Sequence, residues 1–214
     1  MDEATAQARA AAVGLKERIQ GLDDDSLDLI FHEARTFRGW QAREVSDETL
    51  HQMWGLARLG ATSGNCCPGR VVFVKSDAAK ERLKPALDQG NVAKTMAAPV
   101  CAIVGHDLAF YEDMEWLAPH MKGAGKTFGG NAALAEATAF RNGSLQGAYL
   151  MIAARALGLD CGPMSGFNNS LVDETFFSDT RIRSNFLCNL GYGDAESLHP
   201  RSPRHAFDQA CRIL

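Results

Sequence analysis

The stretch Gly60-Ala61-Thr62-Ser63-Gly64-Asn65-Cys66-Cys67-Pro68-Gly69-Arg70, running into Val71-Val72-Phe73-Val74, decides how this chain reads. Short hydroxyls, an amide and turn formers stand directly ahead of a β-branched and aromatic run, the pattern of a polar loop feeding a buried strand. Such a loop offers hydrogen-bonding groups to a ligand. Two later stretches share its character. Asn91-Val92-Ala93-Lys94 precedes a second strand-like run at 100–105, and Cys161-Gly162-Pro163-Met164-Ser165-Gly166-Phe167 follows a long helical segment.

Upstream of the loop, Ser46-Asp47-Glu48 opens a helix with Leu50, Met53, Trp54 and Ala57 at helical spacing, and Gly60 falls where a left-handed residue ends a helix. Before it, Asp23 to Ser26 gives an acidic start to a helix carrying Leu27, Leu29, Ile30, Phe31 and Ala34, expected to end near Gly39. Downstream, residues 71–75 read as a strand and 77–89 as a surface helix that Pro85 must interrupt or begin afresh. Residues 131–157 are apolar around most of the circumference, so as one helix they would span roughly 40 Å and be buried on several sides. A short helix over 171–177, a third buried strand over 185–190, a turn at Gly191-Tyr192-Gly193 and a basic tail complete the chain. Strands separated by helices imply an α/β or α+β layer fold. Residues 106–130 hold no period, and long irregular loops of that kind often cover active sites.

With 214 residues, 46% hydrophobic and 22% charged, the chain can bury one sizeable core, so residues 23–214 are expected to form a single domain behind an Ala-rich N-terminal extension, 1–22. A net charge of -4 and a pI near 5.9 lack the electrostatic footprint of a nucleic-acid binder. The first twenty residues build no signal-peptide core and no apolar run approaches a membrane span, so a cytoplasmic protein without a membrane partner is expected. The six cysteines show neither a C-x-x-C pair nor a Cys/His cluster at zinc spacing and read as free thiols, with no metal.

Several familiar sites are excluded. Gly125-Lys126-Thr127 lacks the glycine that a P-loop needs five positions earlier, where His120 stands, and no G-x-G-x-x-G follows a strand. The histidines are scattered and no Ser-His-Asp set is legible. Cys66 and Cys67 read as packing residues, since a vicinal disulfide strains the backbone. What remains is cationic: Arg35, Thr36 and Arg38 near one end and Arg201 and Arg204 near the other are able to converge on a phosphate.

From about Leu27 onward the chain resembles the FMN-dependent nitroreductase superfamily. Five ordered motifs carry the resemblance: Ala34-Arg35-Thr36-Phe37-Arg38-Gly39-Trp40, Ala61-Thr62-Ser63-Gly64-Asn65-Cys66-Cys67-Pro68-Gly69, Asn91-x-x-Lys94, Gly162-Pro163-Met164-Ser165-Gly166-Phe167 and Leu190-Gly191-Tyr192-Gly193. Ala34 replaces the family's first arginine, and Cys67 and Gly69 replace its glutamine and tryptophan. The resemblance implies an α+β fold, with a central, mostly antiparallel sheet flanked by helices and a long buried helix at a dimer interface. It also implies FMN as cofactor, NADH or NADPH as reductant, and a homodimer with the site shared between subunits. Arg35, Thr36, Arg38, Arg201 and Arg204 would take the phosphate; Thr62, Ser63 and Asn65 would reach the partner's flavin. Asn91 and Lys94 would lie at the flavin pyrimidine end, and Pro163, Met164, Ser165 and Gly166 would bring backbone to the ring.

Within the superfamily the wording looks closest to the malonic semialdehyde reductases, or 3-hydroxypropanoate dehydrogenases, of pyrimidine catabolism. The implied reaction passes a hydride to a small aldehyde. Arg38, Arg70 or Lys126 would meet its carboxylate, and Phe110, Tyr111, Trp116 and Phe128 belong to the covering loop. Two alternatives stand beside it: the same fold acting on nitroaromatics, quinones or enoates, and a flavin-binding protein without turnover.

Overall fold

In the computed structural model, which describes residues 2–214, four strands form one sheet in the order β1-β2-β4-β3. They are β1 Gly69–Val74, β2 Val100–Asp107, β3 Asp160–Met164 and β4 Ile182–Gly191, and every neighbouring pair is antiparallel. The helices are α1 Glu3–Arg18, α2 Asp24–Leu27, α3 Asp47–Ala57, α4 Asp77–Leu83, α5 Gln89–Ala97, α6 Met114–Leu117, α7 Ala124–Gly129, α8 Ala132–Ala156, α9 Asn169–Phe176 and α10 Phe207–Ala210. Side-chain oxygens of Asp23, Ser46, Ser76, Asn131 and Asn168 accept the first free amides of α2, α3, α4, α8 and α9, the usual reason such residues begin helices.

Strand alternation divides the core between the two faces of the sheet. Val100, Ala102 and Val104 of β2 pack with Leu50 and Met53 of α3 and Leu150 and Ala154 of α8. Cys101 and Ile103, between them, face Leu83 of α4, Phe167 and Val172 of α9. The result is helices on both faces of an antiparallel sheet, the α+β architecture expected.

Helix α8 lies unusually near the sheet because glycines face it there. A Cβ on Gly143 would stand 2.7 Å from His106 Cβ, and one on Gly147 would stand 2.5 Å from the Phe186 ring. The helix is buried along one stripe, Ala135, Ala139, Asn142, Gln146, Leu150 and Ala154 among it, while Leu134, Phe140, Leu145 and Tyr149 are 37–54% exposed. The single chain therefore buries this helix on one side, not several, and leaves an apolar face open.

Other expectations shift in detail. The helix expected to run to Gly39 ends in a π-helical turn, Asp28–His32, after which residues 34–41 are irregular, with isolated bridges at Thr36 and Trp40 and a bend at Arg38-Gly39. Gly60 is not left-handed; Gly64, Asn65 and Cys67 are, at φ 55°, 55° and 39°, because the loop itself makes the turn. Pro85 ends α4 and sits in a 3-10 turn, Lys84–Ala86, as the missing proline N–H requires. The loop at 160–164 is the edge strand β3, unexpected because Gly162 and Pro163 are poor strand formers; Pro163 is tolerated on an edge. Residues 106–130 hold a 3-10 turn, α6 and α7, too short to show a period. None of α1 is buried, and among the described residues no helix is long and apolar enough to cross a membrane.

Two outcomes follow for stability. Gly143→Ala should lower it by about 1–3 kcal/mol in urea denaturation, whereas Gly55→Ala, whose new methyl meets nothing within 4 Å in α3, should raise it by roughly 1 kcal/mol. Burial depresses the His106 pKa below 6.5, against opposing pulls from Asp173, Glu136 and Asp107 and with Arg183 assisting. The unfolded chain then binds more protons in the window from 6.5 down to the folded value, so stability should fall as pH drops through that window. His106→Gln should flatten the dependence of the urea midpoint on pH.

Candidate active site

The segment after the π-helical turn meets the outer edge of β3 at Cys161 and then the turn after β4. Thr36 bridges Cys161 in parallel, Phe37 N–H donates to the Cys161 carbonyl at 3.1 Å, and Trp40 pairs with Gly193. This places the exposed side chains of Thr36 and Arg38 beside the 161–166 stretch. The two chain ends meet here as well. Arg35 donates to the His199 carbonyl, and Arg201 donates to the carbonyls of His32 at 2.6 Å and Ala34 at 3.2 Å. Arg204 instead donates to the carbonyls of Ser202 and Pro203, its own neighbours.

Helix α5 brings in Asn91 and Lys94, three residues apart and so on one face. The Asn91 amide donates to the Gly166 carbonyl at 2.6 Å, and Asp88 N–H donates to the same oxygen at 3.1 Å. A Cβ on Gly166 would lie 2.6 Å from Asn91 Nδ2 and 2.7 Å from Asp88 Oδ2, so only glycine permits this approach. The Lys94 carbonyl accepts from Trp40 Nε1 at 3.0 Å and Asn189 Nδ2 at 3.3 Å. Burial first, and then the neighbouring Arg38 guanidinium, pull the Lys94 pKa below its ordinary value. Met164 turns inward, its sulfur accepting from Thr95 Oγ1 at 3.5 Å, while Pro163 is half-buried and Ser165 exposed.

The Thr62–Cys67 loop is held elsewhere. Ser63 N–H donates to Asn142 Oδ1 at 2.8 Å, and Gly69 N–H to Gln146 Oε1 at 2.6 Å, both acceptors buried on α8. Thr62 Oγ1 accepts from Cys67 N–H at 3.2 Å, and Asn65 Nδ2 donates to the Leu117 carbonyl at 2.7 Å. Among the described residues no hydrogen bond joins this loop to the Arg35–Lys94–Gly166 group. Of the four covering-loop aromatics, Phe110 is buried, Tyr111 and Phe128 are half-buried and Trp116 is 79% exposed. A cavity of about 1110 Å³ lies away from the group, against the open edge of β1, lined by Leu50, Trp54, Phe73 and Lys75.

Sequence reasoning missed Trp40, Asn142, Gln146 and Asn189. All four act through their positions in the fold, and a lone amide in a strand or helix carries no local signal. Asn189 has its Oδ1 buried without a partner, beside Lys94 and Thr95. Gly166→Ala should break the Asn91 bond and displace the 161–167 stretch, costing about 1–3 kcal/mol in denaturant unfolding; Asn91→Ala should cost a similar amount, and the two together little more than one.

The sequence profile of the nitroreductase family matches residues 32–192. A protein of Burkholderia lata provisionally named NADH dehydrogenase/NAD(P)H nitroreductase is 59% identical over 192 residues, 90% of this chain and 98% of its own length. One of the same provisional name from Cupriavidus pinatubonensis is 53% identical, over 89% and 98%. A solved Exiguobacterium sibiricum structure, described as a provisional nitroreductase in complex with FMN, superimposes with a TM-score of 0.77 at 20% identity, covering 91% of this chain and 99% of that one; at that identity the likeness is one of fold. The overall fold is thus that of a known scaffold, and the chain belongs to the nitroreductase family.

Proposed function

We propose that this chain is an FMN-dependent oxidoreductase of the nitroreductase type, using NADH or NADPH as reductant. The observation that carries this reading is the group of cations at the ledge of residues 161–166: Arg35 and Arg201 interlocked at one end, Arg38 and Lys94 side by side at the other. That donor set suits a phosphate ester joined to a flat ring, with Gly166 letting the main chain come close. The buried, partnerless Asn189 Oδ1 beside Lys94 is a further acceptor in the same region.

When bound, the flavin supplies two-electron transfer between nicotinamide and acceptor. The chain's own contribution is binding and electrostatics. Arg35 and Arg201 hold the phosphate, with Thr36 and Arg38 beside them. Lys94 would stand as a cation at the pyrimidine end of the ring, where it would favour the negatively charged reduced form. Asn91 fixes the 163–166 backbone, so Pro163, Met164, Ser165 and Gly166 act by shape. Arg204, anchored through Nη1 to the carbonyls of Ser202 and Pro203, is a further cation for the same phosphate.

The site is completed by a second copy. Leu134, Leu145 and Tyr149 share one side of α8, exposed and apolar, whose natural cover is the same face of another chain, and Thr62, Ser63 and Asn65 then serve the partner's flavin. Residues 1–22 lie outside this unit. The relatives' names, NADH dehydrogenase/NAD(P)H nitroreductase, support a nitro compound as acceptor; quinones and enoates extend that proposed range. The narrower reading, reduction of malonic semialdehyde to 3-hydroxypropanoate, rests on the wording of the motifs. For the carboxylate of such a substrate Arg38 is best placed; Arg70 is engaged by Asp107, and Lys126 is exposed on α7.

The test is the absorbance of the FMN-reconstituted protein. Anaerobic NADH or NADPH should bleach it, and a nitroaromatic, a quinone, an enoate and malonic semialdehyde, added separately, should restore it at rates that rank the acceptors. A protein that takes up no FMN would overturn the reading, and uptake without bleaching would leave a flavin-binding protein. Arg35→Ala and Arg201→Ala should each weaken FMN about ten- to a hundredfold by fluorescence titration. Light scattering should give a dimer.

A further inference from the structure

Arg70 was a candidate for gripping a substrate, yet its guanidinium is already occupied on two sides. Nη1 donates to the carbonyls of Cys67 and Gly69, both at 3.1 Å. Nη2 donates to Asp107 Oδ2 at 3.0 Å and stands 3.8 Å from Asp113. Asp107 Oδ1 in turn accepts from Ala109 N–H at 2.8 Å, and Asp107 N–H donates to the Pro68 carbonyl at 2.9 Å. One planar group thus ties the end of the 62–67 loop to the start of the covering segment, 107–130. Asn65 adds a tie further along, to Leu117.

We propose that Arg70 is a positioning residue that sets the shape of the acceptor pocket by clamping the covering segment to the Thr62–Cys67 loop; this rests on the function proposed above. The loop contains three left-handed residues, Gly64, Asn65 and Cys67, two of them non-glycine and held there against their own preference. Ser63 on Asn142 fixes one end of the turn and Gly69 on Gln146 the other, and between them the ties that reach the covering segment are Asn65 on Leu117 and Arg70, which joins the Cys67 carbonyl to Asp107. Arg70 and Asp107 are only 33% and 20% exposed, where an ion pair is screened less than at the surface. A lysine reaches as a point charge and cannot span two carbonyls and a carboxylate in one plane. The second tie of the covering segment, the bidentate Arg181–Glu112 pair at 2.7 and 2.6 Å, is more than half exposed and touches nothing in the loop.

The experiment compares FMN-loaded wild type with Arg70→Gln, Arg70→Lys, Asp107→Asn, Arg70→Gln/Asp107→Asn and Glu112→Gln. Steady-state kinetics with a nitroaromatic acceptor is read beside hydrogen exchange of residues 108–118. Arg70→Gln and Asp107→Asn should raise the acceptor KM about ten- to a hundredfold, with kcat within about twofold, and hasten exchange in the covering segment. The double variant should be no worse than the worse single one, Arg70→Lys should recover part of the loss, and Glu112→Gln should change KM less than about twofold. Unchanged KM and exchange would overturn the proposal. So would a raised KM with unchanged exchange, which would make Arg70 a direct substrate contact, or an equal effect from Glu112→Gln, which would make any loosening of the segment sufficient. If Arg70→Gln does not fold, Asp107→Asn reads the same contact from the other side. If the wild type has no flavin activity, the function proposed above fails, while exchange still reports on the clamp.

Discussion

The close approach of α8 to the sheet is the constraint on which the other placements depend. Gly143 and Gly147 bring the helix down onto His106 and Phe186, and at that distance the amides of Asn142 and Gln146, four residues apart, reach the backbone of another segment. They accept the N–H groups of Ser63 and Gly69, one on each side of the turn that precedes β1. Both amides are buried, so an unmade bond there would carry the full desolvation cost of a polar group. A polar loop at the sheet's end is thereby held by the molecule's longest helix, and larger residues at the two glycines would withdraw both acceptors together.

On the far side of the sheet the ordering principle is backbone pairing. β3 is short and contains Gly162 and Pro163, neither of which favours a strand. It persists because it is paired along its length with β4 on one edge and held at Cys161 by Thr36 and Phe37 on the other. That second flank carries the arginine motif with it. The same chain segment that completes the edge thus delivers Thr36 and Arg38, and the meeting of Arg35 with residue 199 and of Arg201 with residues 32 and 34 follows from it. Sheet closure and assembly of the cation group are one event.

Much of this was legible in the sequence, for reasons that differ by element. The strands β1, β2 and β4 and the helices α3 and α8 announce themselves by apolar period and by capping residues such as Ser46 and Asn131. β3 did not, because a strand held by its neighbours need not contain strand formers. Helix α5 was hidden by Pro85 and Gly90 nearby, although the family resemblance had singled out Asn91 and Lys94. The motifs named segments but not their partners: that Asn91 would bond Gly166, or that Asn65 would turn to Leu117, depends on contacts between residues 75 and 52 positions apart. Burial of α8 was overestimated because apolarity alone does not say which molecule covers a face.

The cysteines give the sheet a chemical character of its own. Burial pushes the Cys66 thiol up to about 11 and Cys101 to about 12, and Cys188, beside Cys161, is raised as well. Peroxides and alkylating agents attack the thiolate, and at neutral pH only about one molecule in ten thousand would carry it at a thiol of that strength. Cys211 is exposed and Cys67 partly so. Oxidative damage is therefore steered to the tail and to one loop, and the interior sulfur ages slowly.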